Sequence, residues 1–156
     1  TLVKATKYPP AGLRGVGFCR ANNYGMRLSD ECEKANDEIL LVLQIEHIEA
    51  VDNIDDILSV PGVDAVFIGP YDLSASMGIT GDFQHPNYIK ARERILEACQ
   101  RHNVAAGIHV VPTEPEQVVQ RHNDGYEFIA YSLDITMLTT HCQEALKTIR
   151  SSLSNK

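Results

Sequence analysis

The sequence predicts an α/β protein built on one parallel sheet with helices packed against it. Four short apolar runs of strand character recur along the chain: Ile39 to Glu46, Asp64 to Gly69, Val104 to Val110 and Phe128 to Asp134. Each is followed by a segment whose apolar residues fall at helical spacing. The runs are close to continuously apolar, as strands buried on both faces are. This alternation is the pattern of βα units, in which each crossover brings the next strand back parallel to the last.

Taken in order, Thr1 to Lys7 has the composition of the end of a helix, and Tyr8 to Gly25 is a loop rich in Gly and Pro. A short helix is expected from Asp30 to Asn36. Within the first strand, Leu40 to Leu43 is predicted to be buried. The spacing then predicts one helix from Glu49 to Val60, with Val51, Ile54, Ile57 and Leu58 inward, Asp52, Asp55 and Asp56 in water, and Pro61-Gly62 as the stop. After the second run, a loop leads to a helix over Asn87 to His102, preceded by Pro86 and carrying Ile89, Ile95, Leu96 and Cys99. Glu114-Pro115-Glu116 opens the next helix, because Pro is tolerated in a first turn and acids suit the positive end of the helix dipole; it should stop at Asp124-Gly125. The last helix, Ile135 to Leu153, carries Leu138, Cys142, Ala145, Ile149 and Leu153 on one stripe.

Two architectures share this pattern. A doubly wound sheet of five strands fits a chain of 156 residues, whereas a complete (β/α)8 barrel takes about 200 to 250. Length favours the doubly wound sheet. Against it stands Thr1 to Asp37, which opens with neither a strand nor a short nucleotide-binding loop.

One domain over residues 1–156 is expected, since a chain of this length buries about 70% of its unfolded surface. The net charge of −7, from 14 Lys and Arg against 21 Asp and Glu, argues against a nucleic-acid or anionic-membrane surface, which needs a basic stripe. No window approaches the ~20 apolar residues of a membrane span, and Thr1 to Pro10 lacks the apolar core of a signal peptide. A cytoplasmic location is expected. Cys19, Cys32, Cys99 and Cys142 show no C-x-x-C pairing and are expected to be reduced thiols.

Ligand sites in both architectures lie at the carboxyl ends of the strands. Here those ends read Gln44-Ile45-Glu46, Gly69-Pro70-Tyr71-Asp72, His109-Val110 and Ser132-Leu133-Asp134. Strand alternation puts Gln44 and Glu46 on one face. Glu46 and Asp72 stand at the tips of successive strands, and if those strands are neighbours, about 5 Å apart, the carboxylates converge. Two such carboxylates repel, and a hard divalent cation relieves the repulsion while leaving most of its coordination shell to water or a chelating substrate. The plainer alternative makes each acid a helix cap or half of an ion pair, with Asp72 capping a helix over Leu73 to Met77. Gly69-Pro70 turning into a helix start would leave backbone N–H groups for a carboxylate or phosphate. A keto acid would then be held at both ends.

Other candidates carry less. Gly12-Leu13-Arg14-Gly15-Val16-Gly17 has no Lys-Ser or Lys-Thr and follows no clear strand, so it is not a phosphate loop, although Arg14 and Arg20 could approach an anionic substrate. His47 alternates away from Glu46 and reads as structural; His109 is a candidate for an outer-shell role. His85, His102, His122 and His141 lack ligand spacing.

Several of these segments occur together in a recognisable order. Lys7-Tyr8-Pro9-Pro10-Ala11-Gly12-Leu13-Arg14-Gly15-Val16-Gly17, Arg20-Ala21-Asn22-Asn23-Tyr24, Gln44-Ile45-Glu46 and Val60-Pro61-Gly62-Val63-Asp64-Ala65-Val66-Phe67-Ile68-Gly69-Pro70-Tyr71-Asp72-Leu73-Ser74 resemble the HpcH/HpaI family of metal-dependent, class II pyruvate aldolases. The resemblance implies a (β/α)8 TIM barrel of the phosphoenolpyruvate/pyruvate superfamily, of which this chain would be about the C-terminal half. It implies reversible cleavage of a 4-hydroxy-2-oxo acid to pyruvate and an aldehyde. It also implies Glu46 and Asp72 as ligands of Mg2+, Mn2+ or Co2+, a catalytic and pyruvate-contacting Gln44, and amides around Tyr71 and Asp72 that hold the pyruvate carboxylate. The cation would act as a Lewis acid that stabilises an enolate. The family's His-Asp pair for proton transfer and its enolate-steadying Arg lie on earlier strands without a counterpart here. A half barrel exposes an open edge and an apolar inner face, so a homo-oligomer, aggregation or partial disorder is expected. Two other readings remain: a non-catalytic metal or keto-acid binding fragment, and a doubly wound phospho-acceptor or nucleotide-binding domain, against which stands the lack of a Lys at a later strand end.

Overall fold

The four apolar runs pair side by side in chain order. The computed structural model describes residues 1–154. Its elements are α1 (Leu2–Thr6), a 3-10 turn (Arg20–Asn22), α2 (Leu28–Glu38), β1 (Val42–Ile45), α3 (Ile48–Asp52), α4 (Ile54–Leu58) and β2 (Ala65–Ile68). After these come α5 (Pro70–Ser76), α6 (Pro86–His102), β3 (Ala105–Val110), α7 (Pro115–Asn123), β4 (Phe128–Tyr131) and α8 (Asp134–Ser154). The sheet has four parallel strands in the order β1-β2-β3-β4. Its register places Gln44 beside Phe67, Phe67 beside Gly107 and Gly107 beside Phe128.

This order decides between the two architectures. A doubly wound sheet reverses its strand order and carries helices on both faces. Here the order never reverses, and the core lies on one face: Ile45, Val66, Ile68, Ala106 and Ile108 pack with Ile54, Leu58, Ile95, Ala98 and Cys99. Full burial of each large aliphatic side chain contributes about 1.5–3 kcal/mol. The opposite face carries exposed Val42 and Gln44, half-buried Phe67 and exposed Phe128. The chain is therefore an arc of a (β/α)8 barrel, with the helices outside and the barrel interior on the open face.

The one-sided core corrects the expected burial of Leu40 to Leu43. Leu41 is buried, but Leu40 is 74% and Val42 39% exposed, because alternation sends every second residue of an edge strand to the uncovered face. A second correction concerns the predicted helix over Glu49 to Val60, which is two helices. Asn53 leaves the helical path at φ −100°, ψ 17°, and its Nδ2 donates to Glu49 O at 2.7 Å, closing α3 as α4 begins. Val51, Ile54 and Leu58 are nonetheless buried as their spacing predicts.

The long helix α6 has clear stops at both ends. Pro86 occupies its first turn, His85 Nδ1 accepts from Asn87 N at 3.2 Å, and Asn103 ends it in the left-handed conformation with Arg101 and His102 in the last turn. Exposed pairs tie it to its neighbours: Arg94 to Asp52 at 3.2 Å and Arg101 to Asp55 at 2.7 Å. The apolar stripe expected on the last helix is present on α8, yet it faces outward, with Leu138, Ile149 and Leu153 exposed. Among the described residues no helix is long and apolar enough to cross a membrane.

Candidate functional site

At the carboxyl end of β1, the alternation that buries Ile45 turns Gln44 and Glu46 to the open face, and the two side chains meet: Gln44 Nε2 donates to Glu46 Oε2 at 2.6 Å. The neighbouring strand makes room for them. A Cβ on Gly69 would lie 3.0 Å from Gln44 Nε2, 3.2 Å from Glu46 Oε2 and 3.3 Å from Glu46 Cβ. Gly69 N donates to Ile45 O at 3.3 Å, so the glycine sits alongside the Gln-Ile-Glu segment as part of the sheet edge.

Gly69 is also the N-cap of α5, which begins at Pro70. Asp72 therefore lies in the first turn and does not cap a helix over Leu73 to Met77. Starting the helix three residues earlier than a Leu73 start leaves the Asp72 carboxylate exposed at the positive end of a helix dipole. Leu73 N is the first amide to take a partner in this turn, donating to Gly69 O at 2.9 Å, and the Tyr71 and Asp72 amides precede it where a helix has no acceptors of its own. The Tyr71 ring is turned elsewhere, edge-on to Phe83 with centroids 5.0 Å apart.

Two serines that sequence reasoning passed over fix α5 in place. Ser74, fully buried, donates to Tyr71 O at 2.9 Å and accepts from Gly81 N at 3.0 Å, fastening the following loop to the helix. Ser76 Oγ accepts from Ile48 N at 3.0 Å and donates to Leu73 O at 2.7 Å. It thus links the chain just after Glu46 to the helix that bears Asp72. Two hydroxyls, two residues apart in the last turn of a short helix after a Gly-Pro corner, are the available signal, but nothing in the spacing names their partners.

The remaining candidates are distributed as follows. His47 is the N-cap of α3, its Nδ1 accepting from Glu49 N at 3.3 Å, which makes it structural as expected. His109 shares the open face with Phe67, ring centroids 6.4 Å apart, and its Nε2 lies 3.1 Å from Ser132 O. Arg14 lies over the Tyr8 ring, 4.5 Å from its centroid. Gly12 is required where it stands, because a Cβ would lie 2.2 Å from Lys7 O, whereas Gly15 and Gly17 have open space around them. Asn22, fully buried, organises the loop by accepting from Cys19 N at 3.0 Å and Gly25 N at 2.9 Å and donating to Gly17 O at 2.7 Å. All four cysteines are free thiols.

The donors at the strand ends suit a hard cation: carboxylate oxygens, one of them steadied by an amide and given room by a glycine. Among the described residues no group of three or more His, Cys, Asp or Glu side chains is gathered. Any ion held by Glu46 and Asp72 would therefore take the rest of its shell from water or substrate.

Comparison with known proteins places this geometry in a lineage. The profile of the family described as HpcH/HpaI aldolase/citrate lyase matches residues 1–140. The 4-hydroxy-2-oxo-heptane-1,7-dioate aldolase of Escherichia coli is 44% identical over 139 residues, covering 87% of this chain and 52% of that protein. The hydroxypyruvate/pyruvate aldolase of Chromohalobacter salexigens is 40% identical over 151 residues, covering 95% and 57%. An HpcH/HpaI aldolase/citrate lyase family protein from Burkholderia cenocepacia superposes with a TM-score of 0.86 at 37% identity, covering 95% of this chain and 58% of that one. The chain spans about half the length of the curated relatives it matches. On the match, the strand order and the barrel arc together, the chain belongs to the HpcH/HpaI aldolase/citrate lyase family.

Proposed function

We propose that this chain supplies the metal-holding and keto-acid-holding part of a class II pyruvate aldolase, one that cleaves a 4-hydroxy-2-oxo acid reversibly to pyruvate and an aldehyde. The observation that carries the reading is the 2.6 Å bond between Gln44 Nε2 and Glu46 Oε2 against the bare face of Gly69. It is supported by relatives at 40–44% identity that are named as aldolases.

In this reading Glu46 and Asp72 hold a divalent cation, Mg2+, Mn2+ or Co2+. When bound, the cation supplies Lewis-acid polarisation of the substrate's keto oxygen. Gln44 fixes the Glu46 carboxylate through one oxygen, which leaves the other for the cation, and its amide would contact the 2-oxo acid. The Tyr71 and Asp72 amides, at the opening of α5, receive the carboxylate of that acid. Ser76 keeps the strand-end segment and α5 in fixed relation, while Ser74 fastens the loop that follows α5, so the two ends of the substrate are oriented together. The exposed apolar face, with Val42 and Phe128, and the outward stripe of α8 favour association into an oligomer.

A second reading is binding of a metal or keto acid without turnover. One assay separates them. Pyruvate release from a 4-hydroxy-2-oxo acid is followed with Mg2+ or Mn2+ and then with EDTA, on the wild type and on Glu46→Gln. Turnover abolished by EDTA and by the substitution supports the aldolase. Metal-dependent pyruvate binding with no turnover supports the binding reading, and metal-independent turnover contradicts both.

A further inference from the structure

A second polar site lies at the carboxyl end of β3, where Ile108, His109 and Val110 meet α6 and α7. Between α6, α7 and the end of β3 is a cavity of about 100 Å3, lined among others by Tyr88, Arg92, Gln117 and Arg121. Its lining contains two guanidinium groups and no carboxylate, in a chain whose net charge is −7. Both arginine side chains are largely withdrawn from solvent, at 18% exposure.

Their charge is under-compensated. One carboxylate, Asp124, serves both: Arg121 Nη1 donates to its Oδ2 at 2.7 Å, while Arg92 Nη1 stands 3.6 Å from the same oxygen, beyond hydrogen-bond reach. Among the described residues Arg92 therefore makes no hydrogen bond, although a guanidinium offers five N–H donors in a planar fork. Tyr88 is 4% exposed and lines the same cavity. Beside it Tyr126 buries a hydroxyl with no partner among the described residues, near enough to Arg121 and Asp124 for their charges to act on it. A withdrawn cation left without acceptors is costly, and the groups that match its fork are carboxylate and phosphate. A neutral ligand would leave the excess charge in place.

We propose that this cavity binds a small oxyanion, a phosphate or a carboxylate, through Arg92 and Arg121 with the Tyr88 hydroxyl as a further donor. The site does not depend on the aldolase reading. It shares Pro70 with the opening of α5, so an anion here would sit behind the helix that carries Asp72.

The test is the thermal midpoint of the whole chain, titrated with sodium phosphate and with sodium acetate against sodium chloride at matched ionic strength, because a ligand of the native state raises the midpoint by mass action. The site predicts a saturable rise above the chloride control, and the anion that saturates at lower concentration identifies the source. Arg92→Gln should raise the half-saturating concentration at least tenfold. Arg121→Gln should do the same but also removes the Asp124 bond, so Arg92→Gln carries the test if Arg121→Gln fails to fold. Arg94→Gln, an exposed surface arginine, should leave the response unchanged. The proposal is overturned if neither anion exceeds chloride, if Arg92→Gln titrates like the wild type, or if Arg94→Gln weakens the response as much as Arg92→Gln.

Discussion

Gln44 and Glu46, two residues apart on the same face of the first strand's end, are joined by a hydrogen bond of 2.6 Å from amide nitrogen to carboxylate oxygen. The bond fixes the orientation of a carboxylate that is otherwise exposed. Outer partners of this kind orient metal-holding groups, and removing one typically costs 10- to 100-fold in metal affinity. Gln44→Ala should weaken Mn2+ binding by about that factor while leaving the unfolding midpoint close to that of the wild type, as calorimetric titration and urea denaturation will report.

Gly69→Ala tests the room this pair needs. The added methyl would come within 3.0–3.3 Å of Gln44 and Glu46, while the backbone there, at φ −90°, accepts any residue. Overpacking of this sort costs about 1–3 kcal/mol where neighbours cannot move. Gln44 and Glu46 are exposed and free to swing outward, so the expected outcome is a small loss of stability and a large loss of metal affinity. Equal stability with unchanged affinity would show that the glycine serves no such purpose.

Ser74→Ala should act in the opposite sense, on stability first. It removes the donor to Tyr71 O and the acceptor for Gly81 N in a site without solvent. Leaving buried groups unpaired costs about 1–3 kcal/mol each. The urea midpoint should fall accordingly, and the loop carrying Gly78 and Gly81 should lose protection in hydrogen exchange.

The thiols should divide by burial. Cys99 lies in the core, and burial pushes its thiol up to about 11. Because the folded value exceeds the ordinary value of 9.0, the folded state holds the proton more tightly. The associated stability is fully present below pH 9.0 and is lost as pH rises towards about 11. Native protein at neutral pH should therefore alkylate readily at exposed Cys19 and Cys142, with Cys99 labelled only after denaturation. Rapid native labelling of Cys99 would contradict the packing of α6 on the sheet.

How far these features were legible in the sequence follows from how local each one is. The four strands and the limits of α6 and α7 were readable from apolar runs, Pro86, Pro115 and Asp124-Gly125, all signals a few residues long. The break at Asn53 was not, because apolar spacing continues across it and only the polar Asn side chain, bonding back to Glu49, ends the turn. The exposure of Val42 was also hidden, since a strand covered on one face and a strand covered on both share its apolar composition. At the site, alternation placed Gln44 and Glu46 together, but the gap that Gly69 leaves beside them, and the bond from Ile48 N to Ser76 Oγ, join residues 23 to 28 positions apart. Spacing within one strand carries no information about either.

The most direct test of the account is Mn2+ binding to the wild type, Glu46→Gln, Asp72→Asn and the double variant, each confirmed to be folded by circular dichroism. If these two carboxylates hold the cation, each single substitution should weaken binding at least tenfold, taking about 1.4 kcal/mol per factor of ten, and the double variant should show none. Wild-type affinity in the double variant would contradict the central claim.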